Sequence, residues 1–200
     1  MAPKIIDKKQ KREEIALKAF KFIEEFGLEN FSTTVFIKYL GIGKSSLYHY
    51  FESKEEILYE ALYLVTIEYM KESEKRLNSE LSLKGKLEIL YEFYLIDSKE
   101  NIWFRGIYLE YLKIFVDAHT DIMKSYNQDL MTIYQNQFKK VFEEEIEKGN
   151  IKPEALSFIN TMITTADGML IYSFSMDNFD LPKELMNYID CFISLIEVKG

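Results

Sequence analysis

Apolar residues in the first part of the chain recur every three or four positions, which is the period of an α-helix. One face of this pattern carries Ile15, Ala16, Ala19, Phe20 and Ile23, and Gly27 follows as a stop signal. The pattern predicts a first helix over about residues 8–26. Most charges on its other face are typical of a solvated surface. The N-terminal basic group is a candidate for phosphate contact: Lys4, Lys8, Lys9, Lys11 and Arg12.

Two shorter apolar patterns follow, and glycines separate them. Ser32 or Thr33 can cap a helix of about two turns that ends at Gly41. After Gly43, the segment "KSSLYHYF" predicts a second short helix, with Leu47, Tyr48 and Phe51 spaced to pack inward. The two helices are therefore expected to meet at a glycine turn.

The remaining chain reads as a succession of longer helices. The segment "SKEE" at residues 53–56 fits a capping box, in which Ser53 accepts a backbone amide and Glu56 reaches back. A helix over about 53–78 follows from it. Further helical patterns cover about residues 82–98, 101–117, 121–148, 153–175 and 182–198. With no strand-like alternation between turns, the prediction is an all-α protein of about nine helices.

The charge is distributed unevenly along the 200 residues. The net charge of −8 argues against a nucleic-acid partner at first, since phosphate binding usually requires a basic surface. Residues 1–54, however, hold ten Lys or Arg against seven Asp or Glu, a net +3, and the later residues carry −11. The acidic character therefore belongs to the second part of the chain.

Export and membrane insertion find little support in the sequence. Cys191 is the single cysteine, so no disulfide framework is available, and no basic and apolar leader precedes the first helix. No apolar run approaches the roughly 18 residues that a membrane span needs. We expect a cytoplasmic protein without a membrane partner.

The segment "GIGKSS" at residues 41–46 admits two interpretations. A nucleotide-binding P-loop requires a glycine five positions before Gly43, where Lys38 stands, and it should follow a buried strand. A helix-turn-helix requires a short supporting helix, a glycine turn and a second helix with polar residues at its leading end. The second interpretation fits, although the pattern alone equally fits a helix hairpin that does not bind DNA.

Catalytic and metal-binding patterns are not recognisable. The two histidines, His49 and His119, and Cys191 show no ligand spacing for a metal. No Ser-His-Asp or Cys-His arrangement can be argued from their order. We therefore expect neither an enzyme nor a cofactor.

The segment from Arg12 to Leu58 resembles the N-terminal domain of the tetracycline-repressor (TetR) family of transcriptional regulators. The resemblance rests on "EEFG", on "STTVFIKYLGIGKSSLYHYF", and on "SKEEIL" directly after it. It implies a helix-turn-helix DNA-binding domain over residues 1–52, called the head below, and a helical effector-binding and dimerisation domain over 53–200. Two departures from the family pattern, Ile37 for Ala and Ser45 for Gly, affect helix packing and the choice of DNA sequence.

The resemblance also implies the residues that contact DNA. Lys44, Ser45 and Ser46 lie nearest the bases. Tyr48, His49 and Tyr50 are candidates for backbone contact, and Thr33 and Lys54 stand where family members touch phosphates. Tyr48 is equally a candidate for the core of the head, and Phe51 is assigned to that core.

In the second domain the resemblance implies an apolar effector pocket and a two-fold dimer. Aromatic residues with polar tips are the candidates for the pocket: Trp103, Tyr108, Tyr111 and Tyr134. The last two long helices are expected to pair with their copies through Leu156, Ile159, Ile163, Leu170, Leu185, Ile189 and Phe192.

These features together predict a repressor that a small apolar or amphipathic effector releases from a palindromic operator. A small-molecule carrier or sensor with a non-functional head is the alternative, and an enzyme is a weaker third.

Overall fold

The structure, a computed structural model, describes residues 8–78, 81–118 and 120–198. In these residues the chain is all-α, as predicted, and forms ten helices. They are α1 Lys8–Phe26, α2 Thr33–Leu40, α3 Lys44–Tyr48, α4 Lys54–Arg76, α5 Leu83–Leu90, α6 Glu92–Leu95, α7 Lys99–Ala118, α8 Asp121–Glu147, α9 Ile159–Ser175 and α10 Leu181–Ile196. Short 3-10 turns at Leu28–Asn30 and Pro153–Phe158 precede α2 and α9.

The single helix predicted over 82–98 is two helices, which raises the number from nine to ten. Tyr91 leaves helical geometry at φ −101° and ψ 8°, and Ile96 is extended at φ −103° and ψ 115°. A side chain from elsewhere explains the early end, because the guanidinium of Arg105 in α7 donates to the carbonyls of Phe93, Tyr94 and Ile96. These carbonyls therefore have hydrogen-bond donors without a further turn of helix.

The chain divides into two compact units. The first contains the described residues of 1–69 and 107–130. Its core joins the apolar face of α1 to residues of α2, α3 and α4, with Phe36 and Ala19 fully buried. The five aromatic rings of Phe22, Phe26, Phe31, Phe36 and Tyr39 contact one another there.

The second unit contains the described residues of 70–106 and 131–200. Apolar residues of α5, α8, α9 and α10 form its core, with Leu87, Phe138, Phe142 and Leu185 fully buried. The charged side chain of Lys86 is buried as well, between Glu144 and Glu145. An isolated antiparallel bridge between Ile151 and Glu197 ties the end of α10 to the segment after α8. Helices α4, α7 and α8 contribute residues to both units.

Candidate nucleic-acid interface

A left-handed glycine makes the turn between α2 and α3. Gly41 has φ 66° and ψ 30°, and its amide donates to the Lys38 carbonyl at 3.2 Å. The next amide, of Ile42, donates to the Ile37 carbonyl at 3.3 Å, which completes a Schellman motif. No atom lies within 4 Å of the place of a Cβ at Gly41, so conformation rather than space calls for glycine.

The starts of α2 and α3 differ in their capping. Ser32, rather than Thr33, caps α2, because its Oγ accepts the Val35 amide at 3.3 Å. Gly43 begins α3 from extended backbone at φ −77° and ψ 153°, and it offers no side chain to the first-turn amides. The leading end of α3 is therefore open to an outside hydrogen-bond acceptor.

Helix α3 separates a buried from an exposed face. Leu47 and, just beyond the helix, Phe51 are each 1% exposed, while Lys44, Ser45 and Ser46 are exposed. Tyr48 is 45% exposed, which decides between core and surface in favour of the surface. Of the two alternatives for Tyr48, inward packing is excluded, because Tyr48 lies one position past Leu47 and about 100° around the helix.

The other candidate contact residues lie around this face. The Lys44 Nζ is 5.8 Å from the centre of the Tyr48 ring, and the His49 and Tyr50 rings are 5.1 Å apart. His49 is exposed and Tyr50 is half-buried.

Thr33 and Lys54 stand at the first positions of neighbouring helices. Thr33 is half-buried at the start of α2, and Lys54 is exposed at the start of α4. Positions in the first turn of a helix are suited to phosphate, because backbone amides and the helix dipole favour an anion there.

Ser53 and Glu56 form the predicted cap of α4, with one change. The Glu56 amide donates to Ser53 Oγ at 3.1 Å. The Glu56 carboxylate reaches back to the amide of Glu52 at 2.6 Å, one residue before the amide that a capping box uses.

Arg12 is part of the interior and is not available to phosphate. Its side chain is 15% exposed, and its guanidinium donates to Glu56 at 2.7 Å, to Glu60 and to the carbonyl of Tyr50. The guanidinium carbon also lies 4.3 Å from the centre of the Phe51 ring. The expectation that Arg12 contacts phosphate is therefore wrong, because three acceptors of the same chain occupy its donors.

The rest of the basic group on α1 lies mainly at the surface. Lys8 and Lys9 are exposed, and Lys11 pairs with Glu14 at 2.9 Å. Lys4 lies outside the described residues. Sequence periodicity could not reveal the role of Arg12, because its partners stand 38 to 48 positions away.

The expected effector residues fall into the two units. Trp103 and Tyr134 belong to the second unit, where the Tyr134 hydroxyl donates to the Leu90 carbonyl at 2.6 Å. Tyr108 and Tyr111 belong to the first unit, and their rings stack at 5.9 Å. The Tyr111 ring also stacks on the Tyr59 ring at 3.9 Å.

Tyr59 and Tyr111 bring two buried hydroxyls together without a hydrogen bond of good geometry. Burial raises the pKa of Tyr59 to about 12 and the pKa of Tyr111 further still, and the two hydroxyls influence one another. A bond between them would use one hydroxyl proton and leave the other without an acceptor.

Tyr111 also lines an apolar cleft of about 20 Å³ together with residues of α1, α4 and α7, among them Phe20, Leu58 and Ile107. This volume is about that of one water molecule.

Most of the residues expected at a dimer contact pack inside the chain. Leu170, Leu185 and Ile189 are fully buried, and Ile159, Ile163 and Phe192 are at most 8% exposed; Leu156 is half-buried. That choice of residues needs correction, because a side chain without accessible surface has nothing left to offer a partner. The apolar residues of this region that do remain exposed are Phe158, Ile171, Tyr172, Phe174, Met176, Leu195 and Val198.

No three His, Cys, Asp or Glu side chains in the described part of the chain are grouped so that they could hold a metal ion. Helices long and apolar enough to cross a membrane do not occur among residues 8–78, 81–118 and 120–198. Cys191 is exposed, and His119 lies outside the described residues.

The region that contains α2 and α3 is similar to a known family. Residues 15–61 match the family model of bacterial regulatory proteins of the tetR family. No curated protein has a matching sequence.

Solved structures share the fold of nearly the whole chain. A TetR transcription regulator from Haloarcula marismortui is 12% identical, with a TM-score of 0.72 over 94% of this chain and 100% of that one. A protein from Saccharomonospora viridis, assigned as a transcriptional regulator and solved with choline, is 16% identical, with a TM-score of 0.70 over 96% and 100%. SmeT, the repressor of the Stenotrophomonas maltophilia multidrug efflux pump SmeDEF, is 15% identical, with a TM-score of 0.63 over 97% and 94%.

Proposed function

We propose that the chain is a homodimeric DNA-binding transcriptional repressor, because its residues 15–61 match the family model of bacterial regulatory proteins of the tetR family. In this proposal α3 enters the major groove of a palindromic operator in the cytoplasm. A small apolar or amphipathic effector lowers the affinity for that operator.

One observation carries the proposal for DNA. Helix α3 has Lys44, Ser45 and Ser46 exposed at its open leading end, while Leu47 of the same helix is buried. A lysine can donate to the guanine acceptors of the major groove, and serine hydroxyls can bind bases or phosphates. Thr33 and Lys54, at two other helix starts, are proposed to bind phosphates.

Selection of bound fragments from the genome of the source organism tests DNA binding. We expect a palindromic sequence with half-sites one helical turn apart, or a multiple of it. Lys44→Ala should weaken binding to that fragment by about 5- to 150-fold, the value of one base contact.

Lys113→Ala, which removes an exposed lysine from α7, is the matched control and should bind as the unsubstituted chain does. If the purified chain selected no fragment with or without effectors, the carrier or sensor with a non-functional head would replace the repressor.

The dimer is proposed to form through the exposed apolar residues at α9 and α10. Ile171 and Phe174 lie three positions apart on α9 and are about half exposed, and Leu195 on α10 is 70% exposed. Exposed apolar residues along two helices of one unit are typical of a surface that a partner covers. The two-fold symmetry of such a contact would match a palindrome.

Analytical ultracentrifugation tests this surface. Leu195→Asp should convert the dimer to a monomer at micromolar concentration, because it places a charge in an apolar contact. Val116→Asp on α7, where the valine is 75% exposed, is the matched control and should leave the dimer intact. If the two variants had the same molecular mass in solution, the dimer interface would not lie at Leu195.

The effector is proposed to bind beside Tyr59 and Tyr111. The two buried hydroxyls need an acceptor, and the adjoining cleft is lined by apolar residues. A small amphipathic molecule could widen this cleft and accept a hydrogen bond from Tyr111. Phe20 and Ile23 of α1 also line the cleft, so widening it would displace the first helix of the head.

Tyr111→Phe tests the effector site with 1-hexanol as the probe. Removing a buried hydroxyl that lacks an acceptor should raise the melting temperature of the free chain. It should also reduce the ability of hexanol to release DNA. A lower melting temperature together with unchanged release by hexanol would exclude this site.

A further inference from the structure

Four groups of the chain contact the side chain of Arg12. The guanidinium donates to the carboxylates of Glu56 and Glu60 on α4 and to the carbonyl of Tyr50, and it lies over the Phe51 ring. Each nitrogen of the guanidinium has its own acceptor: Nε has Glu60, Nη1 has Tyr50 and Nη2 has Glu56. Arg12 therefore joins α1 to α4 and to the segment between α3 and α4.

That segment is the direct continuation of α3. The amides of Tyr50 and Phe51 both donate to the carbonyl of Leu47, at 3.0 and 3.2 Å. Helix α3 has five residues, too few to be stable or oriented without tertiary contacts. Its leading end is held by the Gly41 turn and its middle by the buried Leu47. Arg12 holds its trailing end through a hydrogen bond to the Tyr50 carbonyl and a contact with the Phe51 ring.

Between α1 and α4, two carboxylates share the single positive charge of Arg12. Glu56 and Glu60 lie one turn apart on α4 with side chains 6% and 3% exposed, and one guanidinium serves both. Burial raises the pKa of Glu60, although the Arg12 charge opposes the increase. Without Arg12, two buried carboxylates would face each other, and the start of α4 would have to shift or take up a proton.

The network continues to α8. The Tyr126 hydroxyl favours the ionised form of Glu60 and so lowers its pKa, while burial followed by the Glu60 charge raises the pKa of Tyr126. The Tyr126 ring stacks on Tyr63 of α4 at 4.2 Å, and the Tyr63 hydroxyl bonds to Asp129 at 3.3 Å. The groups that face Arg12 thus come from α4, from α8 and from the end of α3.

We propose that Arg12 is a positioning residue for DNA recognition: it fixes the orientation of α3 against α4 and connects α3 through Glu60 and Tyr126 to α8. The proposal rests on the proposed function, since it concerns how the DNA-reading helix is held. Arg12 touches no DNA in it. A displacement of α8 relative to α4 would be transmitted to α3 through the side chains of Tyr126, Glu60 and Arg12.

Two simpler roles for Arg12 predict different measurements. A phosphate contact would contribute to the salt dependence of binding, and its loss would reduce the slope of log K against log salt by about 0.9. A purely structural ion pair would change thermal stability without changing the preference of the folded chain for its operator. A positioning residue lowers the affinity for the specific sequence and leaves both the slope and non-specific binding unchanged.

Fluorescence anisotropy with a DNA fragment selected by the unsubstituted chain separates these roles. The variants are Arg12→Gln, Glu60→Gln and the double variant, each titrated at several salt concentrations against the fragment and a scrambled sequence. We expect Arg12→Gln to weaken binding to the fragment by about tenfold or more, as for a lost base contact. Binding to the scrambled sequence should change less than about twofold. The double variant should lose less than the product of the single losses, because both substitutions break one contact.

Lys18→Gln is the matched control, since it removes an exposed cation of α1 that pairs with Glu14 at 2.8 Å. It should bind both sequences as the unsubstituted chain does. Arg12→Lys supports the test if Arg12→Gln does not fold: it keeps the charge, but one ammonium cannot replace the three-way guanidinium geometry, so specific binding should still fall.

The outcomes distinguish this inference from the proposed function. If the unsubstituted chain selects a fragment and folded Arg12→Gln and Arg12→Lys bind it equally well, Arg12 does not position α3. Loss of affinity for both sequences with a smaller salt slope would assign Arg12 to phosphate instead. If the unsubstituted chain selects no DNA, the proposed function itself fails.

Discussion

Replacing Lys86 by methionine should destabilise the second unit and change its response to acid. The Lys86 side chain is 1% exposed and lies 2.9 Å from Glu144 and 2.8 Å from Glu145. Methionine fills a similar space and removes the charge. Glu145, whose side chain is 4% exposed, would keep Asn150 at 2.7 Å and Lys148 at 3.1 Å.

The size of the destabilisation follows from the pKa of the Glu145 carboxylate. Burial opposes the ionised form, but hydrogen bonds from Asn150, Lys86 and Lys148 outweigh it and lower the pKa of Glu145 from 4.5 to about 2. A shift of this size corresponds to about 3 kcal/mol of stability shared by the three partners. Breaking a buried pair usually costs about 3–5 kcal/mol, and two partners remain, so we expect Lys86→Met to cost about 2 kcal/mol at pH 7.

The pH dependence has a definite sign. Because folding lowers the pKa of Glu145, its stabilisation is complete above the unfolded value of 4.5 and is lost as the pH falls toward 2. Lys86→Met should therefore lose less stability than the unsubstituted chain over this range.

Urea unfolding followed by circular dichroism at pH 7 and pH 3 measures both effects. Lys139→Met, which removes an exposed lysine 3.6 Å from Glu143 on α8, is the matched control and should change stability by less than about 0.5 kcal/mol. If Lys86→Met and Lys139→Met unfolded at the same urea concentration, the stabilising role of the buried pair would be refuted.

Three further predictions concern the head, and thermal unfolding tests each of them. Gly41→Ala should cost about 1–2 kcal/mol because alanine is strained at φ 66°, whereas Gly43→Ala, at φ −77° with open space around it, should cost less than about 1 kcal/mol; equal costs would contradict the conformational argument. Phe36→Ala should cost about 3–5 kcal/mol because the ring is fully buried, and Phe26→Ala, 44% exposed, should cost clearly less; the reverse order would place the core elsewhere. Ser32→Ala should cost about 1 kcal/mol through loss of the α2 cap, and an unchanged melting temperature would show that the cap contributes nothing.

The elements of the head follow from its sequence because their signals are local. The period of apolar residues predicts α1, and its observed bounds of Lys8–Phe26 agree. Gly41 and Ser53 act within a few residues of their own positions, so turn chemistry and capping rules are sufficient for them. The spacing of apolar residues predicts that Leu47 is a core residue, and it is buried.

Side chains that act over long sequence distances could not be predicted in this way. Arg12 looks like one more cation on a basic helix until its partners on α4 are known. Arg105 ends α6 by binding carbonyls 9 to 12 positions earlier, which no helical period records.

Helical spacing is ambiguous at two further places for a related reason. Leu170 belongs to an apolar face of α9 and Ile189 to one of α10. Residue spacing does not show whether the same chain or a second copy covers such a face. Tyr48 stayed open between core and surface, because an aromatic residue beside a buried leucine fits either, and one position along a short helix is enough to reach the surface.

The interior position of Arg12 also changes how an acidic chain would bind DNA. With Arg12 neutralised by two carboxylates, the charge available near α3 comes from exposed lysines, of which Lys44 and Lys54 stand at helix starts. Residues 1–54 carry a net charge of only +3, which gives weak general attraction to DNA, since each phosphate contact adds only a salt-sensitive increment. Affinity for an operator must then depend on how well α3 fits the groove. A buried arginine that orients α3 therefore contributes more to recognition than the same charge would at the surface.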